Sequence, residues 1–167
     1  MNFQIQSVKT SYQIVELVAL AKSIWNQHFV DIIGQKQVDY MLDKFQSHSV
    51  IEEQIAVGYE YYMAFESGRP VGYIGLVPND PAGKLMLSKL YVESNCRGSG
   101  IGFQLLEFTK NRAIKNGATA VWLTVNRDNS KTIDWYKKRG FILKDEVKMD
   151  IGNGFFMDDY VFELRVG

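Results

Sequence analysis

What this chain lacks excludes several kinds of protein. It has a single cysteine, Cys96, which excludes an internal disulfide and a zinc site built from cysteines. Its 19 basic residues are balanced by 19 acidic ones, and a net charge of zero argues against an electrostatic grip on nucleic acid. No apolar run reaches the roughly eighteen residues of a membrane span, and the polar start at Met1 is unlike a signal peptide. We expect a cytoplasmic protein with neither a membrane nor a nucleic-acid partner.

Metal binding is not expected either. The two histidines, His28 and His48, fall in different predicted helices, with no third ligand close to either in sequence. The 167 residues, of which 46% are hydrophobic, are enough for one core. The sequence therefore predicts a single domain over residues 1–167.

The most informative stretch joins an apolar strand, Leu85–Val92, to a glycine-rich turn that opens an amphipathic helix. The turn consists of Arg97, Gly98, Ser99, Gly100, Ile101 and Gly102. Backbone N–H groups converge there on the positive end of a helix dipole, and glycines let the backbone approach a phosphate closely. Arg97 adds charge at the rim. The turn is a candidate phosphate site, although by spacing alone an ordinary structural turn is an equal alternative.

Two well-known phosphate sites do not match this turn. A P-loop closes with Gly-Lys-Ser or Gly-Lys-Thr, whereas Phe103 and Gln104 follow Gly102. A dinucleotide-binding fold needs an acidic residue about twenty residues further on, at the end of the next strand. That strand ends here in Asn126 and Arg127. A nucleotide-binding domain is therefore a weaker alternative.

A second motif runs from Asn129 through Tyr136 to Gly140 and Phe141. With both motifs in order, the chain resembles the GNAT superfamily of acyl-CoA-dependent N-acetyltransferases. The turn at residues 97–102 is similar to the Q/R-x-x-G-x-G/A pyrophosphate loop of that family, and the second motif to its N…Y…GF helix. The resemblance is best over residues 60–165, and the first sixty residues are similar to the family only as a pair of helices.

The predicted fold is α/β, with a mixed, largely antiparallel sheet of about seven strands flanked by about four helices. Hydrophobic periodicity predicts strands near 5–8, 59–66, 70–77, 84–92, 121–125, 141–149 and 159–166. It predicts helices near 10–29, 38–45, 102–116 and 130–139, with a short piece capped by Ser49 and Glu52. The resemblance implies that the fourth and fifth strands splay apart.

The resemblance also implies acetyl-CoA as co-substrate and assigns roles in this chain. The acyl-pantetheine arm would lie along the backbone of Leu90, Tyr91 and Val92, with the Val92 N–H stabilising the oxyanion. Tyr136 would protonate the leaving thiolate, the alternative being a core tyrosine with its hydroxyl bonded to backbone. Asn129 would cap the following helix and lie near the pantetheine arm. The implied acetyl-CoA site comprises Leu90, Tyr91, Val92, Arg97, Gly98, Ser99, Gly100, Ile101, Gly102, Asn129 and Tyr136, with Lys131 and Lys138 as further candidates for the phosphates.

The sequence does not identify a general base. Several members of the family, the polyamine acetyltransferases among them, carry a glutamate on the fourth strand where this chain has Ser88, which cannot accept a proton at neutral pH. Glu60, Glu93 and His28 are alternatives, as is a chain of water molecules. Cys96 has no adjacent histidine to activate it, so an acyl-cysteine intermediate is not expected.

The expected reaction is direct transfer of an acetyl group from acetyl-CoA to a primary amine of a small molecule. Substrate selection is expected from the first helices and from the final hairpin loop, Asp150–Asp159. Acidic residues of the first helices, with Trp25, His28 and Phe29 on the pocket side, would favour a cationic amine such as a polyamine. These acidic residues are Asp31, Asp39, Asp43, Glu52 and Glu53. Solvated helix faces are the simpler explanation for them. A non-catalytic acyl-CoA-binding module, an acetyltransferase of protein N-termini or lysines, and a homodimer stay open.

Overall fold

The computed structural model describes residues 2–167 and has a seven-stranded sheet at its centre. The strands lie in the order β1-β2-β3-β4-β5-β7-β6. They are β1 (Phe3–Ser7), β2 (Glu60–Glu66), β3 (Arg69–Val77), β4 (Lys84–Val92), β5 (Ala120–Asn126), β6 (Ile142–Gly152) and β7 (Phe155–Arg165). The helices are α1 (Ser11–His28), α2 (Val30–Ile33), α3 (Gln35–Phe45), α4 (His48–Ala56), α5 (Ile101–Lys115) and α6 (Ser130–Lys138). The predicted mixed α/β fold with seven strands is confirmed.

Local sequence signals explain where several elements begin. The Thr10 hydroxyl accepts a bond from the Gln13 N–H at 3.2 Å, and the Gln13 side chain accepts one from the Thr10 N–H at 2.9 Å. This reciprocal capping box starts α1. Between β2 and β3, Ser67 and Gly68 both have positive φ angles, as a two-residue hairpin turn requires.

Two predicted helix caps are wrong. The short helix α4 begins at His48 rather than after Ser49, and Ser47 at its N-cap makes no side-chain bond. Asn129 occupies the N-cap position of α6, but its side chain makes no capping bond either. Its amide lies instead beside the imidazole of His28 on α1. This contact between distant segments is not visible in local spacing.

Helices cover both faces of the sheet. Alternate strand residues point to opposite faces, so both faces carry apolar side chains that helices bury. On one face, Leu105, Leu106 and Ala113 of α5 are buried against the sheet. On the other, Leu17 and Ile24 of α1 pack against a second cluster of buried residues. No helix within residues 2–167 combines the length and hydrophobicity that crossing a membrane needs.

The two central strands, β4 and β5, run parallel and separate after a short pairing. Lys84–Met86 pairs with Ala120–Trp122, and the ladder ends there. On its other side, β4 carries one extra residue, Ser88, at a register shift against β3. A bulge of this kind bends a strand and disrupts pairing locally. The predicted splay between the fourth and fifth strands is present and opens a gap at the centre of the sheet.

The C-terminal hairpin is longer than predicted, with its turn at Asn153 and Gly154. Helix α3 is bonded to it. The Tyr40 hydroxyl donates to the Ile151 carbonyl at 2.7 Å, and the Gln37 amide donates to the Phe156 carbonyl at 3.0 Å. The hairpin and α3 therefore close one side of the gap.

Candidate active site

Two cavities open at the gap and meet at Tyr136. The first, here called the glycine-loop groove, is lined by His28, Leu90, Tyr91, Val92, Cys96, Arg97, Gly98, Gly100, Gly102, Phe103, Asn129, Lys131, Thr132, Trp135, Tyr136 and Arg139. The second, here called the hairpin pocket, lies between the sheet, α1, α3 and β7. Both cavities share the side chains of Leu90, Tyr91, Asn129, Thr132 and Tyr136. The groove and the pocket are therefore adjacent cavities.

The glycine loop presents free backbone donors to the groove. The first internal hydrogen bond of α5 runs from the Gln104 N–H to the Gly100 carbonyl at 3.0 Å. Within the described chain, the amides of residues 98–103 donate to no protein acceptor. Gly98 and Gly100 have φ angles of 83° and 88°, which turn successive amides toward one side. Such a cluster at a helix N-terminus suits an anion.

Most of the predicted acetyl-CoA residues line the groove, but two do not. Ile101 is buried in the core, and the Ser99 hydroxyl donates to the Cys96 carbonyl. Both therefore contribute only backbone amides to the groove, because the Ile101 side chain is buried and the Ser99 hydroxyl is bonded within the turn. Lys131 lines the groove and Lys138 does not.

The end of α1 supports the loop. The Gln27 amide oxygen accepts from the Ser94 N–H at 3.2 Å and from its hydroxyl at 2.9 Å. Arg97 donates from Nε to the Val92 carbonyl at 3.2 Å, and its Nη1 lies 3.5 Å from His28 Nδ1. Burial, and then the charge of Arg97, lower the pKa of His28. A neutral imidazole therefore faces the loop at pH 7.

Arg139 lines the groove together with the cations Arg97 and Lys131, and sequence reasoning missed it. Its guanidinium lies over the ring of Trp135, with a distance of 4.2 Å to the ring centre. Its Nε is buried without a hydrogen-bond partner among the described residues. Arg139 directly precedes the glycine of the second motif, but nothing in local spacing shows that its side chain folds back toward the groove.

The backbone of β4 faces the gap at Leu90 and Val92. The Glu93 N–H bonds to the Val71 carbonyl at 2.9 Å, so Glu93 and Val71 form a hydrogen-bonded pair. Hydrogen-bonded and non-hydrogen-bonded pairs alternate along an antiparallel ladder. Val92, opposite Gly72, and Leu90, opposite Ile74, are therefore non-hydrogen-bonded with β3. Their N–H groups point toward the side where β5 has separated.

Tyr136 lies where the two cavities meet. It is 5% exposed and packs edge-on against Trp135 and Phe141, with ring centres 5.1 and 5.2 Å away. Its hydroxyl bonds to no protein group among residues 2–167, so the backbone-bonded core tyrosine considered above is not what the structure has. Burial, and then the nearby Tyr91, raise the pKa of Tyr136 well above its usual value. The phenol is therefore protonated at neutral pH.

Of the three predicted bases, two lie away from both cavities. Glu60 binds Arg112 through two bonds of 2.8 and 2.9 Å and accepts a third from Tyr62. Burial alone would raise the pKa of Glu60, but these bonds outweigh it and lower the pKa. Glu93 lines neither cavity within the described chain. His28 lines the groove, on the side of the glycine loop rather than the pocket.

Asp159, the last residue of the hairpin loop that was expected to select the substrate, is the acidic residue of the hairpin pocket, and the sequence assigned it no role of its own. It is 5% exposed, and burial raises its pKa to about 6. The Thr124 hydroxyl partly offsets this effect, whereas Asp158 adds to it. The predicted last strand began at Asp159. Extended back to Phe155, it places Asp159 on one face with Met157, and both line the pocket.

The first helices do not supply the acidic residues that were predicted for the mouth of the pocket. None of Asp31, Asp39, Asp43, Glu52 and Glu53 lines the hairpin pocket in the part of the chain described. Trp25 and Phe29 do line it, as expected, together with Ile33 and Met41. This wall of the pocket is therefore largely aromatic and apolar, because the acidic side chains of α2, α3 and α4 are exposed on the outer faces of these helices.

Comparison with known proteins places the chain in a family. The family model described as Acetyltransferase (GNAT) family matches residues 19–141, and the chain belongs to this family. An uncharacterized N-acetyltransferase of Mycobacterium bovis is 34% identical over 98 residues, which cover 59% of this chain and 62% of that protein. The match thus spans less than two thirds of that relative.

Two further similarities extend over more of the chain. An uncharacterized N-acetyltransferase of Lactobacillus delbrueckii subsp. lactis is 22% identical over 81% of this chain and 87% of its own length. The crystal structure of the PaiA N-acetyltransferase from Thermoplasma acidophilum in complex with coenzyme A superposes with a TM-score of 0.83. It is 22% identical and covers 99% of both chains. The structural match confirms the fold over the full length.

Proposed function

We propose that this protein transfers an acetyl group from acetyl-CoA directly to the primary amine of a small molecule. The proposal rests on one observation. Two cavities meet at the protonated Tyr136, and one of these cavities ends at the free amides of residues 98–103. Acetyl-CoA would occupy the glycine-loop groove and the acceptor the hairpin pocket. Attack across their junction then needs no covalent enzyme intermediate.

The residues of the groove suit the parts of acetyl-CoA. Its pyrophosphate would accept from the loop amides, with Arg97 and Arg139 supplying positive charge. The acyl-pantetheine arm would lie beside Leu90 and Val92, whose N–H groups point into the gap. The Val92 N–H would stabilise the charge that develops on the thioester oxygen.

Tyr136 would act as the acid of the reaction. When the C–S bond breaks, the thiolate needs a proton, and a neutral phenol at the junction can supply it. The raised pKa of Tyr136 keeps that proton in place until the thiolate forms. Asn129 and Thr132 line the same junction and would help position the arm.

A cationic acceptor, including a diamine or polyamine, belongs to the proposal. Aromatic rings of Trp25 and Phe29 attract cations, and Asp159 supplies a buried negative charge in the same pocket. The open edge strand β6 supports a homodimer, because Ile142 and Met149 on it are 63% and 57% exposed. The cytoplasmic location stays a prediction, as does the single domain over residues 1–167.

Two experiments test the proposed function. In the first, thermal unfolding is followed with acetyl-CoA, ATP or NAD, because a ligand that binds the folded state raises the melting temperature. Stabilisation by acetyl-CoA alone supports the groove assignment, and stabilisation by ATP or NAD contradicts it. Light scattering on the same samples measures the oligomeric state.

The second experiment follows free thiol release from acetyl-CoA with diamines, polyamines, amino acids, aminoglycosides and lysine peptides. Mass spectrometry identifies the acetylated product. Acetylation of small amines is the expected result. Binding without turnover would indicate a sensing module, and activity confined to peptide N-termini or lysines would indicate a protein acetyltransferase.

A further inference from the structure

We propose that the carboxylate of Asp159 accepts the proton of the attacking amine, an inference that rests on the proposed acetyl transfer. Asp159 lies on β7 opposite Asn126, the last residue of β5. It therefore faces the gap that opens beyond the pairing of β4 and β5. Tyr136 lines the same pocket from α6 and also lines the groove.

The position of Asp159 is unusual for a structural carboxylate. It is 5% exposed, yet among the described residues no lysine, arginine or histidine forms an ion pair with it. A buried charge without a partner is costly, so such groups serve chemistry or ligands more often than stability. The missing partner would be the ammonium group of the acceptor.

The groups around Asp159 leave it free to exchange protons. Tyr91 of β4 lies near Asp159, and Tyr136 of α6 lines the same pocket. Both are neutral phenols, because burial raises the pKa of each. On its own strand, Asp158 is bonded to Arg127 at 3.1 Å, and Glu146 of β6 is bonded to the same arginine at 2.6 Å.

The helices that wall the pocket bring no charge to it. They present Trp25 from α1, Phe29 just after it, and Gln37 and Met41 from α3. Burial raises the pKa of Asp159 to about 6, which lies close to the working pH of a proton acceptor.

The proton balance of the step is complete. Asp159 takes one proton from the ammonium form, and the freed nitrogen lone pair forms the N–C bond to the acetyl group. The C–S bond breaks with its electrons on sulfur, and Tyr136 protonates the thiolate. The second nitrogen proton and the proton on Asp159 pass to water, from which Tyr136 recovers its own. Ammonium and thioester thus give amide, thiol and one proton in solution.

The test compares Asp159→Asn with Asp158→Asn, which removes the same charge one residue away and outside the pocket. The two acceptors are ethylamine, which is protonated at pH 7, and 2,2,2-trifluoroethylamine, which is similar in size and largely neutral. We expect Asp159→Asn to lower kcat/KM for ethylamine by about a hundredfold or more. The loss for trifluoroethylamine should be much smaller, because that amine needs no proton removed before attack. The affinity for acetyl-CoA should not change.

Other results would overturn the assignment. Equal losses with both amines would mean that Asp159 only shapes the pocket, and full activity of Asp159→Asn would mean that it has no role. A wild-type protein that binds acetyl-CoA but acetylates neither probe nor any other amine would refute the proposed function instead. In that case, carboxyl ¹³C NMR on the CoA-bound protein tests whether the Asp159 carboxylate contacts the amine. Ethylamine should lower its pKa, and an unchanged titration would refute contact with the amine.

Discussion

Replacing Gly100 by valine tests the anion site at the glycine loop. Gly100 has a φ of 88°, a conformation that costs a side-chain-bearing residue about 1–2 kcal/mol. No heavy atom lies within 4 Å of the position its Cβ would take, so the protein should still fold. The new side chain would occupy the space beside the free amides. A hydrogen bond to a charged group contributes about 1.5–3 kcal/mol, so losing one should raise the Kd for CoA roughly ten- to hundredfold.

The matched control is Gly68→Val, in the turn between β2 and β3. Gly68 has a φ of 80° and likewise no heavy atom within 4 Å of the place a Cβ would take, so backbone strain is nearly the same. Calorimetry with CoA and thermal unfolding would be measured on both variants. Similar losses of stability with weaker CoA binding only in Gly100→Val are expected. Unchanged affinity in folded Gly100→Val would refute the anion site.

Three further predictions concern single side chains. Tyr136→Phe should lower kcat by about a hundredfold while the Kd for acetyl-CoA measured by calorimetry stays the same, since the proton is needed only in the transition state; full turnover would assign Tyr136 to packing. Glu60→Gln should lower the free energy of unfolding in urea by about 1 kcal/mol, because its partly exposed ion pair with Arg112 is lost, and it should leave kcat unchanged. Lost activity would make Glu60 a candidate base again. Asp159→Asn should stabilise the free protein above pH 6. The pKa of Asp159 is about 6 in the folded state and 3.8 in the unfolded state, so the wild type loses stability as the pH rises from about 4 to 6. The gain over wild type should be on the order of 2–3 kcal/mol at pH 8 and vanish below pH 4, since each pKa unit corresponds to about 1.4 kcal/mol. A pH-independent difference would contradict the raised pKa.

The sequence predicted the part of the site that depends on backbone. Free amides at a helix N-terminus follow from the glycine turn after a strand, whereas the role of Tyr136 was implied by the resemblance to the family. The splayed strands were expected from the resemblance alone. The bulge at Ser88 that accompanies the splay is a register shift between β3 and β4, which no local pattern records.

The acceptor side could not be predicted in the same way. The hairpin pocket is built from α1, α3, β5 and β7, which are far apart in sequence. Strand alternation could have placed Asp159 inward had β7 been extended back to Phe155. The partners of Glu60 could not be found, because Arg112 is 52 residues away and meets it only in the folded chain.

A crystal structure of the protein with coenzyme A tests the central claim most directly. We predict the pyrophosphate within hydrogen-bond distance of the amides of residues 98–103. The thiol should lie beside the Tyr136 hydroxyl, and the arm should follow Leu90 and Val92 along β4. Coenzyme A bound outside the glycine-loop groove, or a thiol that points away from Tyr136 and the hairpin pocket, would contradict the account.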